Sequence, residues 1–308
     1  MAVAARRGFA RPQPLAGNGP YIVALLPALG LVVLFFLGPA LWAIYASFTN
    51  MALVGADAAS PRFVGLANYQ QLFRDPDFFT VLRNSVTFVV GSAVIGQFGL
   101  GLALALLLEH AEQRGFKGGN LVYAAVLLAW VDPTLIAGFL WAAMFDFYYG
   151  TLNVALKTVG LPPQPWLADN AMLAVIIANT WRGTAFTMLI FISGLKTIPA
   201  EIYEAARVDG ANAWRRFWDH TVPNLKYIAL LALLNITIAT LGAFILILGL
   251  TGGGPGIRTE VISLYAYHTA FQARQIGYGS AIAMVMLAIN FLFAGIYLRV
   301  FRTESARA

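Results

Sequence analysis

Six apolar runs, each long enough to cross a lipid bilayer as a helix, constrain this sequence more than any other feature. The hydrocarbon layer of a membrane is spanned by about 20 consecutive apolar residues in helical form. The composition agrees, because 59% of the residues are hydrophobic and only 11% are charged. We therefore predict an all-α integral membrane protein with six transmembrane helices. The predicted spans cover approximately residues 21–48, 86–108, 121–145, 171–192, 227–250 and 279–300.

The distribution of lysine and arginine predicts the orientation of these spans. Short loops rich in the two residues stay in the cytoplasm. Thirteen of the 20 basic residues lie on the side of the two termini, six lie on the other side, and Arg182 lies inside a span. Both termini are therefore predicted to be cytoplasmic. We predict one membrane domain, residues 21–301, between cytoplasmic tails at 1–20 and 302–308.

Several kinds of chemistry are excluded by the residues that are missing. The chain has no cysteine, so thiol catalysis, thiolate metal sites and disulfides are excluded. No GxxxxGK[ST], GxSxG or HExxH pattern occurs, and the glycine-rich run TGGGPG at 251–256 lacks the lysine of a phosphate loop and is predicted to be a turn. An integral membrane enzyme is therefore disfavoured. The three histidines lie outside the predicted spans, at His110, His220 and His268.

Charge is concentrated in the loop at 196–226, which contains the run EAARVDGANAWRRFWDHTVP. Thr197 is a possible N-cap and Pro199 a start signal for a first helix, which is predicted to run to about Asp209. Gly210 is predicted to end that helix, because glycine adopts the left-handed conformation of a helix end without steric cost.

A second short helix is predicted to follow, with Asn212 as its cap. Its apolar and aromatic residues recur at helical spacing and form one stripe, which suits the headgroup region of a membrane. Pro223 is predicted to break this helix before the fifth span. The members of the stripe are Trp214, Phe217, Trp218 and Thr221.

The first helix of the loop presents a slim face of small and apolar residues, flanked by charged ones. Ile202, Ala205 and Ala206 form this face. Such a face suits insertion into a groove on another protein. A solvated loop helix with ordinary surface charges explains the same pattern, and the residues alone leave both interpretations open.

This loop resembles the EAA motif of permease subunits from bacterial ABC importers. The motif consists of Glu-Ala-Ala, three residues, Gly, nine residues, an apolar residue, one further residue, and Leu-Pro. Residues 204–206 open it here, Gly210 is in register, and Pro223 closes it. Two positions depart from the pattern, since His220 stands where isoleucine is usual and Val222 replaces leucine.

The resemblance extends along most of the chain, and it is to the carbohydrate-uptake subfamily, which includes maltose and glycerol-3-phosphate importers. FVGLANYQQLF at 63–73, LKTIPAEIYEAARVDGA at 195–211 and LTGGGPGIRTEVISLYAYHTAF at 250–271 carry it. The implied fold is that of a type I ABC importer permease, with the loop between spans four and five acting as a coupling helix. The implied location is the bacterial inner membrane.

The resemblance also implies roles and partners. The glutamate would make polar contacts in a cleft of a cytoplasmic ATPase subunit, the two alanines would allow close approach, and the glycine would make the turn. The implied partners are a second, homologous permease, two ATPase subunits that hold ATP and Mg²⁺, an extracytoplasmic substrate-binding protein and the lipid bilayer, with no nucleic acid. This chain itself would bind no cofactor or metal and carry no catalytic residue. The implied ATPase-coupling residues are Glu204, Ala205, Ala206, Arg207, Asp209 and Gly210.

Charged and polar residues inside the spans are candidates for function, because burying them in a membrane is costly. Asp132 and Arg182 are the two clear intramembrane charges, and we expect Pro133 to bend the third span. Hydrogen bonds that pack the helices explain such polar residues equally well. The candidates for a substrate path are Asn179, Trp181, Arg182, Asn235, Thr237 and Thr240.

The predicted function is that of a permease subunit of an ATP-driven importer for a sugar or a related polar carbon source. The alternative is an ion-coupled secondary carrier of a small polar solute. A carrier predicts several intramembrane carboxylates or an inverted repeat with broken helices, and neither is evident from the sequence. The identity of the substrate and the roles of His220 and Asp132 are left open.

Overall fold

The computed structural model describes residues 19–116 and 118–305, and the chain divides into two compact units with the boundary between Tyr45 and Ala46. Most of both predicted tails, and Lys117, lie outside the described residues. The described part contains no β-strand beyond one antiparallel bridge between Thr49 and Phe63. Its α-helices are α1 Gly19–Val32, α2 Gly38–Ser47, α3 Ala56–Ala59, α4 Ala67–Arg74, α5 Pro76–Phe88, α6 Phe98–Gln113, α7 Gly119–Val131, α8 Thr134–Met144, α9 Thr151–Thr158, α10 Ala171–Leu195, α11 Ala200–Val208, α12 Ala213–Arg216, α13 Val222–Leu241, α14 Ile245–Leu250, α15 Ile262–Tyr267 and α16 Ile276–Ser305.

Five helical stretches are long and apolar enough to cross a membrane, and a sixth span results if the bent pair α7–α8 counts as one. The six predicted spans are confirmed in this sense. The five unbent stretches are Val23–Ser47, Pro76–Gln113, Ala171–Leu195, Ala213–Leu241 and Ile276–Val300.

The first unit consists of α1, a π-helical segment at Val33–Leu37 and the start of α2. The π segment lies just before Pro39, and Gly38 N–H donates to the Val33 carbonyl across the widened turn. A proline removes one backbone donor and clashes with the carbonyl four residues earlier, and a π turn lets the helix continue past it.

Helix α10 lies at the centre of the second unit. It packs against α6, α7 and α13, and small residues such as Ala174, Ala178 and Ala185 are fully buried along it. Three clusters of buried apolar side chains surround it, one of them at the end of α10 that leads into the charged loop. The loop therefore begins from the helix with the largest buried share among the five unbent stretches.

Glycines let α10 and the helix formed by α5 and α6 approach closely. A Cβ atom on Gly101 would lie 2.6 Å from Thr187 Cβ and 3.0 Å from the backbone nitrogen of Met188. A Cβ atom on Gly183 would collide with the side chain of Gln97, which is buried. Small residues at such positions allow the van der Waals contact that holds membrane helices together.

Replacing Gly183 with alanine is therefore expected to lower the free energy of unfolding by about 1–3 kcal/mol, because the added methyl group displaces Gln97. That displacement breaks the 3.2 Å hydrogen bond from Gln97 Nε2 to the Asn179 carbonyl. Denaturant titration in detergent measures the change. Gly99→Ala is the matched control, because a Cβ atom there meets nothing within 4 Å. Equal stability of the two variants would contradict the close approach.

The third predicted span is not a straight helix. α7 and α8 are bent by 107° at Asp132 and Pro133. Asp132 has ψ of 135°, which is extended backbone, and a proline disfavours the helical conformation of the residue before it. The predicted bend at Pro133 is confirmed, and the structure shows that it breaks the span.

The fifth predicted span, 227–250, is shifted toward the N-terminus. The helix extends without interruption from Ala213 to Leu241, and Ile245–Leu250 form a separate short helix. The predicted break at Pro223 is wrong. A π segment at Phe217–Thr221 precedes the proline, and the helix continues past it, as it does at Pro39. The end of the loop is thus continuous with the fifth span.

Candidate functional site

The first helix of the charged loop, α11, begins directly after Pro199 and has no side-chain cap. Thr197 does not cap it as predicted. Its hydroxyl donates instead to the Gly194 carbonyl at 2.7 Å and so closes the end of α10. α10 and α11 are therefore joined by a short turn that is tied back onto α10.

The predicted end of α11 at Gly210 is confirmed. Gly210 has φ of 77°, its N–H donates to the Arg207 carbonyl at 3.0 Å, and Ala211 N–H donates to the Ala206 carbonyl at 2.8 Å. These two hydrogen bonds form a Schellman motif, which fixes the direction in which the chain leaves a helix. The predicted cap of the next helix is also confirmed, since Asn212 Oδ1 accepts from Arg215 N–H at 2.9 Å.

The outward face of α11 differs from the predicted one. Ala205 is exposed, but Ala206 is only 2% exposed and is buried within this chain, and Ile202 is half-buried. Val208, which the sequence did not single out, is 88% exposed. It lies four residues after Glu204 and so shares a helix face with it. Among the predicted coupling residues, those exposed are Glu204, Ala205, Arg207, Asp209 and Gly210.

The inner side of α11 is firmly attached to the membrane helices. Ile202 and Tyr203 pack on a cluster that contains Phe191 and Leu225. The Tyr203 hydroxyl lies 3.1 Å from Thr221 Oγ1, which joins α11 to the π segment before α13. Half-buried contacts therefore connect α11 to α10 and α13.

A groove of about 1080 Å³ separates the loop from the end of α6. Glu109, Glu204, Arg207 and Arg216 are among the residues that line it. Lys196 Nζ lies 3.2 Å from a Glu112 oxygen across the groove, and both side chains are largely exposed. Exposed pairs of this kind stabilise a protein by no more than about 1 kcal/mol, so the apolar cluster and not the ion pair holds the loop.

The two intramembrane charges lie near each other. Arg182 lies near the middle of the 25-residue α10, and the charge of Asp132, at the break between α7 and α8, acts on it. No hydrogen-bond partner reaches Arg182 Nε in the part of the chain that the structure describes. The Trp181 ring contacts the Trp141 ring at 5.6 Å. The charge of Asp132 thus acts on Arg182 from the break in the third span, and Trp181, next to Arg182 on α10, packs its ring against α8.

The other predicted path residues make packing contacts or contacts within their own helix. Asn179 is buried and donates to Ser92 Oγ at 2.9 Å, which is a packing hydrogen bond between helices. Thr237 and Thr240 are both buried, and the Thr237 hydroxyl lies 3.2 Å from the Tyr297 hydroxyl. Asn235 is exposed and donates to the Leu231 carbonyl of its own helix.

The glycine-rich run at 251–256 forms a turn, as predicted. Gly252, Gly253 and Gly256 have positive φ angles. Glu260, which the sequence did not single out, is buried beside this turn, and its Oε1 lies 2.8 Å from His268 Nδ1. Burial raises the pKa of the Glu260 carboxyl, and His268 opposes that shift. The only sequence signal for this Glu260–His268 contact was a carboxylate eight residues before a histidine.

A second carboxylate joins the same region to α5. Asp75 Oδ2 accepts from the Tyr265 hydroxyl at 2.5 Å, and Asp75 Oδ1 caps α5 by accepting from Asp77 N–H at 2.9 Å. Burial, together with this hydrogen bond, raises the pKa of Tyr265. Within the described residues no cluster of three or more metal-binding side chains occurs.

Comparison with known proteins gives consistent matches. Residues 97–303 match the family model described as "Binding-protein-dependent transport system inner membrane component". The chain is 34% identical over 286 residues to the sulfoquinovosyl glycerol transport system permease protein SmoG of Agrobacterium fabrum, covering 92% of this chain and 90% of that protein. It is also 34% identical over 280 residues to the trehalose/maltose transport system permease protein MalF of Thermococcus litoralis, covering 90% and 92%.

A solved structure shares the fold. A chain of a bacterial alginate ABC transporter, crystallised in complex with an alginate pentasaccharide-bound periplasmic protein, superimposes with a TM-score of 0.77 at 20% identity. The match covers 91% of this chain and 93% of that one.

Proposed function

We propose that this chain, which belongs to the family of binding-protein-dependent transport system inner membrane components, carries a sugar or a related polar carbon source across the bacterial inner membrane. As a member of that family it is a multi-pass permease of an ABC importer, and a transport component. The sugar is proposed because relatives such as the trehalose/maltose permease of Thermococcus litoralis are named for sugars.

The proposed partners complete an importer. They are a second, homologous permease, two ATPase subunits and an extracytoplasmic binding protein. ATP and Mg²⁺ would be bound by the ATPase subunits, since this sequence has no phosphate-loop motif. A binding protein is supported by the fold neighbour, which was solved with a periplasmic protein. The proposed orientation, with both termini in the cytoplasm, follows from the distribution of lysine and arginine.

The observation that carries the proposal is the shape of the loop between spans four and five. α11 presents Glu204, Ala205 and Val208 outward, and its inner side is buried against the membrane helices. This outward face is exposed in the described chain and belongs to the loop that resembles the EAA motif. We propose that the cleft of an ATPase subunit receives this face, with Val208 as an apolar contact.

The structure of the fifth span suggests how a movement of the loop reaches the membrane. Because the helix is continuous from Ala213 to Leu241, α13 moves as a rigid extension of the loop. The contact between Tyr203 and Thr221 joins α11 to that extension. Closure of the ATPase subunits on ATP would pull the loops together and open the spans outward, and hydrolysis would reset them.

The substrate path is proposed to pass the break in the third span. Asp132 and Arg182 are only half-buried in this chain, and the Trp181 ring is 38% exposed. Charged side chains near the middle of a membrane face the interior of a bundle or a water-filled cavity, not lipid. The surface that carries them is therefore proposed to face the second permease and to line the passage between the two.

Replacing Glu204 with arginine tests the coupling role. We expect uptake and substrate-stimulated ATP hydrolysis to be lost, because the reversed charge opposes the contact with the ATPase subunit, while the chain remains in the membrane. Affinity purification from membranes, followed by ATPase assay, provides the measurement. Asp169→Arg is the matched control, because Asp169 is exposed and lies in the loop between spans three and four.

The same purification separates the proposal from the carrier alternative. A permease subunit brings ATPase activity with it, whereas an ion-coupled carrier does not. The broken helix α7–α8 is a feature also found in carriers. Purification of the wild-type chain without ATPase activity, together with uptake that requires an ion gradient, would overturn the proposal.

A further inference from the structure

Two tryptophans are exposed on the first turns of the helix that continues into the fifth span. Trp214 is 69% exposed and Trp218 is 49% exposed, and their rings contact each other at 5.6 Å. Tryptophan is usually well buried in a folded chain, and two exposed rings in contact form an apolar patch that needs a covering. The side chain of Arg215 is exposed beside them and makes no hydrogen bond or ion pair among the described residues.

The rise of the continuous helix gives the distance of these residues from the apolar part of the fifth span. Val222–Leu241 contain 20 residues and so span about 30 Å, which matches the hydrocarbon layer. Trp218 and Trp214 precede Val222 by four and eight residues, or about 6 and 12 Å along the helix. The headgroup layer is about 5–8 Å deep on each side. Along an untilted helix Trp218 therefore lies within that layer, and Trp214 lies about 4–7 Å beyond it, on the water side of the headgroups.

The charges around the rings favour an anionic surface. The segment from Ala211 to Lys226 carries three cations and one carboxylate, Asp219. Arg216 is partly used to hold the turn, since its Nη1 lies 3.4 Å from the Ala211 carbonyl. Arg215 is thus free to meet a phosphate, and guanidinium groups bind phosphate well.

We propose that Trp214, Arg215 and Trp218 form a binding surface for the headgroups of anionic phospholipids. The Trp218 ring lies among the headgroups, the Trp214 ring borders them from the water side, and Arg215 pairs with a lipid phosphate. The inference rests on the proposed function in one respect: the lipid would hold the helix from Ala213 to Leu241 at a fixed depth while α11 is moved by an ATPase subunit. Anionic lipid would thus improve the coupling between ATP hydrolysis and transport.

Quenching of tryptophan fluorescence by brominated lipid tests the binding. The full-length chain is placed in nanodiscs of phosphatidylcholine alone or mixed with phosphatidylglycerol, with the bromine on one lipid at a time. The difference between the wild type and Trp214→Phe/Trp218→Phe isolates the two rings from the remaining tryptophans. We expect brominated phosphatidylglycerol to quench them more strongly than brominated phosphatidylcholine.

The variant Arg215→Gln is expected to reduce this preference for phosphatidylglycerol about fivefold. This factor corresponds to the roughly 1 kcal/mol that one cation near an anionic surface contributes to binding. Arg62→Gln is the matched control, because Arg62 is exposed in a different loop. Equal quenching by both lipids in the wild type would overturn the proposal. If no brominated lipid quenches the fluorescence of the two tryptophans, the proposal is also overturned, and the surface is assigned to a protein partner.

The effect on coupling is measured separately, so that failure of the proposed function does not obscure the lipid result. In the assembled transporter, substrate-stimulated ATPase activity is expected to rise with the fraction of phosphatidylglycerol in the wild type and in Arg62→Gln, but not in Arg215→Gln. Selective quenching without ATPase activity in any bilayer would support the lipid surface and refute the importer function. The same rise in Arg215→Gln would refute the effect of lipid on coupling.

Discussion

Leucine in place of Gly210 is expected to abolish substrate uptake and substrate-stimulated ATP hydrolysis while the chain remains in the membrane. Gly210 has φ of 77°, and a side chain in that conformation costs about 1–2 kcal/mol. The variant relieves this strain by changing the turn that joins α11 to α12, so the outward face of α11 is no longer presented in one orientation. A coupling free energy of 1–3 kcal/mol corresponds to roughly 5- to 150-fold stimulation, which would be lost.

The chain supplies a closely matched control in Gly160. Its φ is 78°, and a Cβ atom there, as at Gly210, would meet nothing within 4 Å. It also ends its helix in a Schellman motif, with Gly160 N–H bonded to the Lys157 carbonyl and Leu161 N–H to the Leu156 carbonyl. Gly160→Leu therefore carries the same backbone strain outside the loop. If both variants lose transport equally, general strain and not coupling is the cause.

Replacing Arg182 with leucine is expected to lower kcat/KM for uptake about 10- to 100-fold. A hydrogen bond from a charged group to a substrate contributes about 1.5–3 kcal/mol, which corresponds to this range. The expectation depends on the position of Arg182 beside the break in the third span, with Nε unpartnered in the part of the chain described here. Uptake of radiolabelled substrate into proteoliposomes, at equal amounts of assembled transporter, measures the effect.

A double variant distinguishes a substrate contact from a packing role. If Asp132 and Arg182 only balance each other within the bundle, Asp132→Asn should restore the transport lost in Arg182→Leu, because it removes the uncompensated charge. If both side chains contact the substrate, the double variant should transport no better than Arg182→Leu. Restoration would therefore contradict the proposed path, and thermal stability of the same variants would show whether packing is the cause.

Local signals in the sequence predicted local structure well. The length of each apolar run predicted a membrane-spanning helix, and Gly210 and Asn212 predicted a helix end and a helix cap. These features depend on the backbone preferences of a few neighbouring residues, so no distant contact is needed to form them. The helix break predicted at Pro223 was wrong, because a proline interrupts a helix only where the preceding turn does not widen, and here that turn is a π segment.

The candidate site was less predictable, because the exposure of a side chain depends on residues far away in the chain. Ala206 and Val208 are both small apolar residues of α11, and the fold leaves the first 2% and the second 88% exposed. Asn179 is a polar residue within a span and was therefore a candidate for the substrate path. Its side-chain amide instead donates a hydrogen bond to Ser92, which is distant in sequence.

The sequence by itself determined that this is a membrane protein, where its apolar segments lie, and which loop concentrates the charge. These properties follow from composition and from the fixed rise of a helix against the thickness of a bilayer. Only the tertiary structure decided that the charge of Asp132, at a 107° break, acts on Arg182, that the loop is continuous with the fifth span, and that Val208 faces outward. Each of these depends on packing between segments that are distant in sequence, which no local pattern encodes.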